Sequence, residues 1–246
     1  MPGYLTKQES VALAGVGPLI IRSLLDRQQF ADPQGAAERL GISSAAWPIF
    51  GLLWPSGWHL AAQLALRPVL TGERILEVGC GLALASLVGH RGGADVTASD
   101  CHPLAEAFLA ENLRLNGLLP MKYRHGRWGG PLLPDPGRPV DRPVQGLFDL
   151  IIGSDLLYER DEAGTLARFI TLHAAARAEV WIIDPDRGNR PAFNRQMDLR
   201  GFQRSESRLM STMSSGPSRP LHYRGRWLVY HRTGADRSPD RPRPID

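Results

Sequence analysis

The stretch Arg74-Ile-Leu-Glu-Val-Gly-Cys-Gly-Leu-Ala83 joins a short apolar run to an acid, Glu77, then breaks at Gly79 and Gly81. A helical pattern follows from Leu82 to His90, so the whole reads as strand, glycine turn and helix. A second strand, Val96–Ser99, delivers Asp100 about twenty residues beyond the turn, the spacing at which an acid meets a ribose in nucleotide-binding βαβ units. Glycines let backbone approach a ligand, a helix N-terminus presents free N–H groups, and the distant carboxylate can accept from a ribose diol. Together they predict a nucleoside-binding crevice.

A dinucleotide fingerprint requires another glycine three residues after Gly81, and Leu84 stands there. No G-x-x-x-x-G-K-[ST] occurs, so a phosphate-cradling loop of that kind is not expected. An acid two residues ahead of the first glycine suits a ligand with a cationic amino-acid end, which points to S-adenosylmethionine. The glycine pair by itself is also compatible with a plain βα turn.

A chain of 246 residues can bury one full α/β core. No run of eighteen apolar residues occurs and the first residues lack the pattern of a secretory leader, so a soluble, cytoplasmic protein is expected. Cys80 and Cys101 follow neighbouring strands without a C-x-x-C or a His cluster. They read as small buried filler rather than a disulfide framework or a metal site. The net charge of +4 comes from arginine, Lys7 and Lys122 being the only lysines. Its excess lies between Arg187 and Arg243; scattered solvated arginine is preferred there over a nucleic-acid or acidic-protein surface.

Residues 1–45 carry two helical patterns and read as an N-terminal helical extension. The first, Pro18–Phe30, places Leu19, Ile20, Leu24 and Leu25 near one face; the second, Pro33–Leu40, follows Asp32 as N-cap. An aromatic and turn-rich segment, 47–58, leads to a helix over Trp58–Leu66. One domain is expected over 46–233. In it strands Ile75–Val78, Val96–Ser99, Lys122–His125, Leu147–Gly153 and Glu179–Asp184 alternate with helices Leu82–His90, Pro103–Asn116, Asp161–Arg177 and Ala192–Arg200. That rhythm predicts βαβ units and a parallel sheet covered on both faces, with the runs Leu150–Ile152 and Val180–Ile183 at its centre. Extended stretches Phe202–Met210 and Arg226–Arg232, joined through Ser214–Pro220, predict a C-terminal antiparallel hairpin. Gly129–Gly146 holds five prolines and four glycines and reads as a surface loop; 234–246 reads as a disordered tail.

Four segments now carry a resemblance: Trp54-Pro-Ser-Gly57, Leu76-Glu-Val-Gly-Cys-Gly81, Asn112-Leu-Arg-Leu-Asn116-Gly117, and Phe148-Asp-Leu-Ile-Ile-Gly-Ser-Asp-Leu-Leu-Tyr158. In order and spacing they resemble class I S-adenosylmethionine-dependent methyltransferases, and more closely the methyltransferase-16 group, which contains many protein-lysine methyltransferases. The resemblance covers roughly residues 45–185, in the sense of a motif-level match. It implies a three-layer, Rossmann-like α/β fold with a seven-stranded, mostly parallel sheet.

The resemblance implies cofactor contacts that the residue chemistry supports. Glu77, Gly79 and Gly81 would face the aminocarboxypropyl end, and Asp100 would accept from both ribose hydroxyls. Asp100 as a helix cap ahead of Pro103 is the competing reading. Trp128 would lie beside adenine and Trp54 would line the cavity from the N-terminal side, although either could be ordinary core. Ser154 would contact the cofactor, while Asp155 and Tyr158 would stand where the methyl group emerges. A loop-capping aspartate and a half-buried tyrosine are their bland alternatives. Ala83 replaces a glycine often found in E-x-G-x-G-x-G, at little cost if the backbone there is ordinary helix.

Ser154-Asp155-Leu156-Leu157 lacks the prolines of the [ND]-P-P-[YF] motif of base amino-methylation, and no cysteine stands in this region for C5 chemistry. Asp184-Pro-Asp-Arg187 falls one strand too late for such a motif and could shape the substrate entrance. The expected activity is N-methylation of a protein, on lysine, by direct in-line transfer without metal. A small-molecule N-methyltransferase and a non-catalytic cofactor-binding module are the alternatives. A membrane or nucleic-acid partner is not expected; the oligomeric state is open.

Overall fold

The computed structural model describes residues 3–13, 15–128, 142–213 and 221–234. In chain order its elements are β1 (Thr6–Leu13), β2 (Val16–Leu24), α1 (Ala36–Arg39), α2 (Pro55–Ala65), β3 (Arg74–Val78), α3 (Leu84–Arg91), β4 (Asp95–Asp100), α4 (Ala105–Leu115) and β5 (Lys122–His125). They continue as β6 (Phe148–Ser154), α5 (Thr165–His173), β7 (Ala174–Asp184), α6 (Arg190–Asp198), β8 (Gln203–Met213) and β9 (Leu221–Arg232). Seven strands form one sheet in the order β5-β4-β3-β6-β7-β9-β8, and β9 alone runs against the rest. The expected hairpin, β8–β9, closes one edge, its 214–220 link lying outside the described residues.

The apolar runs sit at the centre because alternate side chains serve opposite layers. Ile75, Leu150, Ile152, Trp181 and Ile183 pack with Leu60 and Leu64 of α2, Leu87 and Val88 of α3, and Phe108 and Leu109 of α4. Leu76, Val78, Ile151, Val180 and Ile182 pack with Leu166 and Ile170 of α5 and Phe193 and Met197 of α6. Strands buried on both faces need apolar residues at consecutive positions, which is why these runs do not alternate. The result is the three-layer, Rossmann-like architecture expected. Among the described residues no helix is long and apolar enough to cross a membrane.

The N-terminal helices are a correction. Residues 6–24 form an antiparallel hairpin, β1–β2, turned at Gly15, whose φ of +80° is a left-handed value that glycine adopts freely. Leu19, Ile21 and Leu24 are fully buried and join the same core as Val11 and Leu13. A short apolar run such as Leu19-Ile-Ile21 does not reveal its period by itself, and its β-branched residues fit a strand as well as a helix. The partner decides it: Asn112 of α4 and Asn116 at its C-cap grip β2. The helix expected over Pro33–Leu40 contracts to the single turn α1, where both oxygens of Asp32 accept, from the Ala37 and Glu38 amides at 3.1 and 2.9 Å.

A smaller correction concerns residues 174–177, expected to end a helix. The chain leaves α5 at His173 and continues as the first part of β7, with a register irregularity opposite Phe148–Leu150. Alanines favour helix, but the start of β6 claims them, where Phe148 pairs with Ala174. Of the proline-rich loop 129–146, residues 129–141 lie outside the described residues, as does the tail from 235 onward. The described end returns to the sheet, where the His125 amide donates to the Arg142 carbonyl at 2.8 Å.

Candidate active site

The strand order reverses beside β3: the chain moves outward through β4 and β5, then returns to β6 on the other side. In open α/β sheets, ligands bind outside the carboxyl ends of the strands at such a reversal. A cavity of about 380 Å³ opens there. It is lined by all nine residues singled out from the sequence: Trp54, Glu77, Gly79, Gly81, Asp100, Trp128, Ser154, Asp155 and Tyr158. The volume lies in the ordinary range for small-molecule sites.

The glycine turn is a cradle that side chains would fill. Gly79 has φ +61°, and a Cβ there would stand 2.6 Å from Leu156 Cδ2 and 3.3 Å from Trp128 Cη2. Gly81 has φ +52°, and its Cβ would stand 2.8 Å from the Phe50 carbonyl oxygen. Ala83 departs from expectation. It caps α3 at φ +59° and ψ +36°, a left-handed backbone rather than ordinary helix, and it therefore carries strain that glycine would not.

Asp100 and the turn are directly joined, since the Gly81 amide donates to Asp100 Oδ2 at 2.8 Å. Its other oxygen accepts from the His102 amide, also at 2.8 Å. Asp100 thus holds its own loop, though not as the helix cap of the competing reading, since α4 is capped at Leu104, and it still faces the cavity. A carboxylate oxygen has two acceptor sites, so each retains capacity for a ribose hydroxyl. Glu77 is buried against α3, with Oε2 accepting from the Ser86 amide at 2.8 Å and from the Ser86 hydroxyl. Burial pushes Glu77 up to about 7 and raises Asp100 above the usual carboxylate range, against the pull of the donors that hold them. Two acids destabilised by desolvation in one cavity suit a ligand that brings positive charge.

The aromatic residues flank these groups. Trp128 packs edge-on to Phe169, with ring centroids 6.4 Å apart. Trp54 precedes Pro55, the first residue of α2; its indole N–H donates to the Ile49 carbonyl at 2.9 Å and its ring lies under Arg27. Both remain partly exposed toward the cavity, and His102, stacked on Phe50 at 3.6 Å, closes another side.

At the end of β6, Leu156 and Leu157 bury into the core, while Asp155 and Tyr158 line the cavity. Asp155 has φ +56°, a conformation aspartate tolerates better than most residues, and its amide donates to the Ile183 carbonyl of the neighbouring strand at 3.0 Å. Its Oδ1 lies 3.3 Å from the Arg187 guanidinium, and its Oδ2 is buried without a hydrogen-bond partner. Burial raises its pKa; the Ser56 hydroxyl and Arg187 act in the opposite direction. Tyr158 is 43% exposed, and its phenol is pushed up to about 12, chiefly by desolvation.

Sequence reasoning gave no role to Ser56 or Tyr223, although Ser56 lay inside a quoted motif. Their hydroxyls share a hydrogen bond of 2.9 Å behind Asp155, across 167 residues of chain. The Asp184-Pro-Asp-Arg187 segment, read as shaping the entrance, supplies the cation beside Asp155.

The sheet order and the cradle define the class I S-adenosylmethionine-dependent methyltransferase fold. Magnesium protoporphyrin IX methyltransferase from Synechocystis, solved with bound S-adenosylmethionine, shares it at a TM-score of 0.53 and 17% identity, over 72% of this chain and 78% of that one. The family model described as lysine methyltransferase matches residues 49–191, and the chain belongs to this methyltransferase-16 family. The electron transfer flavoprotein beta subunit lysine methyltransferase of Rattus norvegicus is 30% identical over 131 residues, 52% of this chain and 47% of that protein. The protein N-lysine methyltransferase METTL21A of Danio rerio is 30% identical over 125 residues, 49% of this chain and 50% of that protein. The chain thus spans about half the length of the curated relatives it matches.

Proposed function

We propose that the chain transfers the methyl group of S-adenosylmethionine to an amine of a protein, with a lysine side chain as acceptor. Membership of the lysine methyltransferase family supports the acceptor class. The observation that carries the reading is that Asp155 and Tyr158 share one cavity with the Gly79–Gly81 cradle and Asp100.

When bound, the cofactor supplies a methyl group already activated on a sulfonium, so the protein's task is alignment and exclusion of water. Glu77 would meet the ammonium of its amino-acid end, Asp100 would take the ribose hydroxyls, and Trp128 would lie beside adenine, with Trp54 also lining the cavity. Ser154, whose hydroxyl lies against Gly57 of α2, borders the middle of the cavity. A lysine ammonium, with a reference pKa of about 10.4, must lose its proton before its lone pair can form the new N–C bond and displace the sulfonium sulfur as a neutral thioether. Asp155 accepts a hydrogen bond from that nitrogen and, being raised by burial, takes up a proton more readily than an exposed carboxylate. Tyr158 keeps its proton at neutral pH and serves as a wall and hydrogen-bond donor at the mouth.

Calorimetry with S-adenosylmethionine tests the pocket, and labelled methyl transfer to lysate proteins, followed by mass spectrometry of the modified residue, tests the acceptor. Asp155→Asn should lower kcat/KM by about 100-fold or more while cofactor affinity stays within about threefold, since acid–base and orienting groups act at this scale. Asparagine is chosen over alanine because it tolerates the left-handed backbone. Full activity in the asparagine variant, or methyl transfer confined to small free amines, would overturn this reading.

A further inference from the structure

Behind Asp155, at the end of the adjacent strand β7, stands a second aspartate, Asp184. Asp184 is fully buried. Its Oδ2 accepts from the Arg187 amide at 3.1 Å, while its Oδ1 is buried with no hydrogen-bond partner. The same Arg187 places its guanidinium 3.3 Å from Asp155 Oδ1, and Asp155 Oδ2 is likewise buried and unpartnered. One residue therefore serves two carboxylates, by backbone on one and by side chain on the other. Among the described residues each carboxylate has one buried oxygen without a hydrogen-bond partner in good geometry, the Ser56 hydroxyl easing Asp155, a costly arrangement unless a further donor completes it.

The neighbouring cations are committed elsewhere. Arg190 and Arg226 pair with Asp186 and Glu206, two positive charges against two negative, in a network that closes on itself. From α2 the groups facing the pair are the Ser56 hydroxyl and, further along, His59, whose Nε2 is hydrogen-bonded to the Ser211 hydroxyl. From β9 comes the Tyr223 hydroxyl, bonded to Ser56, with its ring 4.4 Å from that of His59. Burial lowers His59, so at neutral pH it adds no charge. Among the described residues Arg187 is thus the single cation set against these two carboxylates.

We propose that Asp184 is a positioning and specificity-determining residue: it shares Arg187 with Asp155 and leaves the acceptor side of the cavity one negative charge in excess, so that the site selects a cationic amine. The inference rests on the reading of Asp155 as the group that meets the acceptor. An arriving ammonium brings the missing positive charge and donors; when its proton passes to Asp155, Arg187 and Asp184 are left in balance and the neutral amine keeps its lone pair free. Asp184 touches neither substrate nor cofactor and acts through Asp155 and Arg187. Asp184 is raised to about 6, by desolvation first and by the Asp155 charge as well, as expected of neighbouring like charges.

The test is a carboxyl titration of the whole protein labelled with ¹³C-aspartate, with Asp155 and Asp184 assigned from their asparagine variants. In Asp184→Asn the Asp155 pKa should fall by about one unit, and in Asp155→Asn the Asp184 pKa should fall by a matching amount, because coupling is reciprocal. If Asp184→Asn does not fold, the reciprocal variant still decides, as Asp155 is partly exposed. With a methylatable acceptor, Asp184→Asn should raise KM for the amine about tenfold, change kcat less, and move the acid limb of the kcat/KM profile to lower pH. A structural role alone would lower activity without moving that limb. Unmoved titrations in folded variants overturn the proposal. The titration needs no acceptor, so that failure is distinct from one in which the protein binds cofactor but methylates no protein amine.

Discussion

Gly79 and Ala83, four residues apart, both occupy left-handed backbone, yet substitutions there should behave differently. Alanine at position 79 would add strain and a Cβ 2.6 Å from Leu156. We expect Gly79→Ala to cost about 2–4 kcal/mol and to abolish measurable cofactor binding. Ala83→Gly relieves strain of about 1–2 kcal/mol, but gives up a buried methyl worth about 0.8 and adds unfolded-chain entropy worth about 0.4–1. These nearly cancel, so the melting temperature should move by no more than about 3 °C. Paired melts and calorimetry check both, and similar losses in the two variants would contradict the argument. The same backbone logic applies to Asp155, where a substitution to alanine mixes loss of charge with strain.

At the scale of elements, the Asn112…Asn116 spacing that the resemblance singled out has a structural use. Four residues apart on α4, the two carboxamides lie on one helix face and meet every second residue of β2. Asn116 Oδ1 accepts from the Ile20 amide and its Nδ2 donates to the Ile20 carbonyl, both at 2.8 Å. Asn112 Oδ1 accepts from the Arg22 amide at 2.7 Å. Two side chains thereby replace a neighbouring strand for the edge of a hairpin that would be marginal alone. Asn116→Ala leaves both Ile20 backbone groups without that partner and should cost about 1–3 kcal/mol. Hydrogen exchange should quicken at Ile20 and along β2 before it quickens in β3 or β6; unchanged protection at Ile20 would refute this role. Arg232 works similarly, its guanidinium donating to the Ala175 carbonyl at 2.7 Å where the chain turns from α5 into β7.

For the whole molecule, the candidate site is a collection of desolvated acids whose folded pKa values are raised: Glu77 to about 7, Asp184 to about 6, and Asp100 and Asp155 above their usual range. An acid raised on folding binds its proton more tightly in the folded state. It therefore favours folding at low pH, and that advantage is lost as pH rises through the folded value. The cofactor-free protein should lose stability between about pH 5 and pH 8, and S-adenosylmethionine, by bringing positive charge, should flatten the slope. Glu77→Gln should stabilise the cofactor-free protein by about 2–3 kcal/mol at pH 8, little at pH 4, and should weaken cofactor binding. Thermal melts across pH with and without cofactor check this; a difference independent of pH would exclude the mechanism. The central sheet, its flanking helices and the C-terminal hairpin were legible because they depend on local period: consecutive apolar residues in β6 and β7, glycines after β3, an acid after β4. So was the gathering of the nine residues in one cavity: Glu77, Gly79, Gly81 and Asp100 from the spacing of the first two strand ends, and Trp54, Trp128, Ser154, Asp155 and Tyr158 from what the resemblance implies. By contrast, residues 6–24 became a hairpin and 174–177 a strand only through partners far along the chain. The Ser56–Tyr223 bond was decided in the same way, and the sharing of Arg187 by Asp155 and Asp184 by the pairing of β6 with β7. Local pattern is written in neighbouring residues, whereas hydrogen bonds and fields between segments a hundred residues apart exist only once the sheet has brought them together.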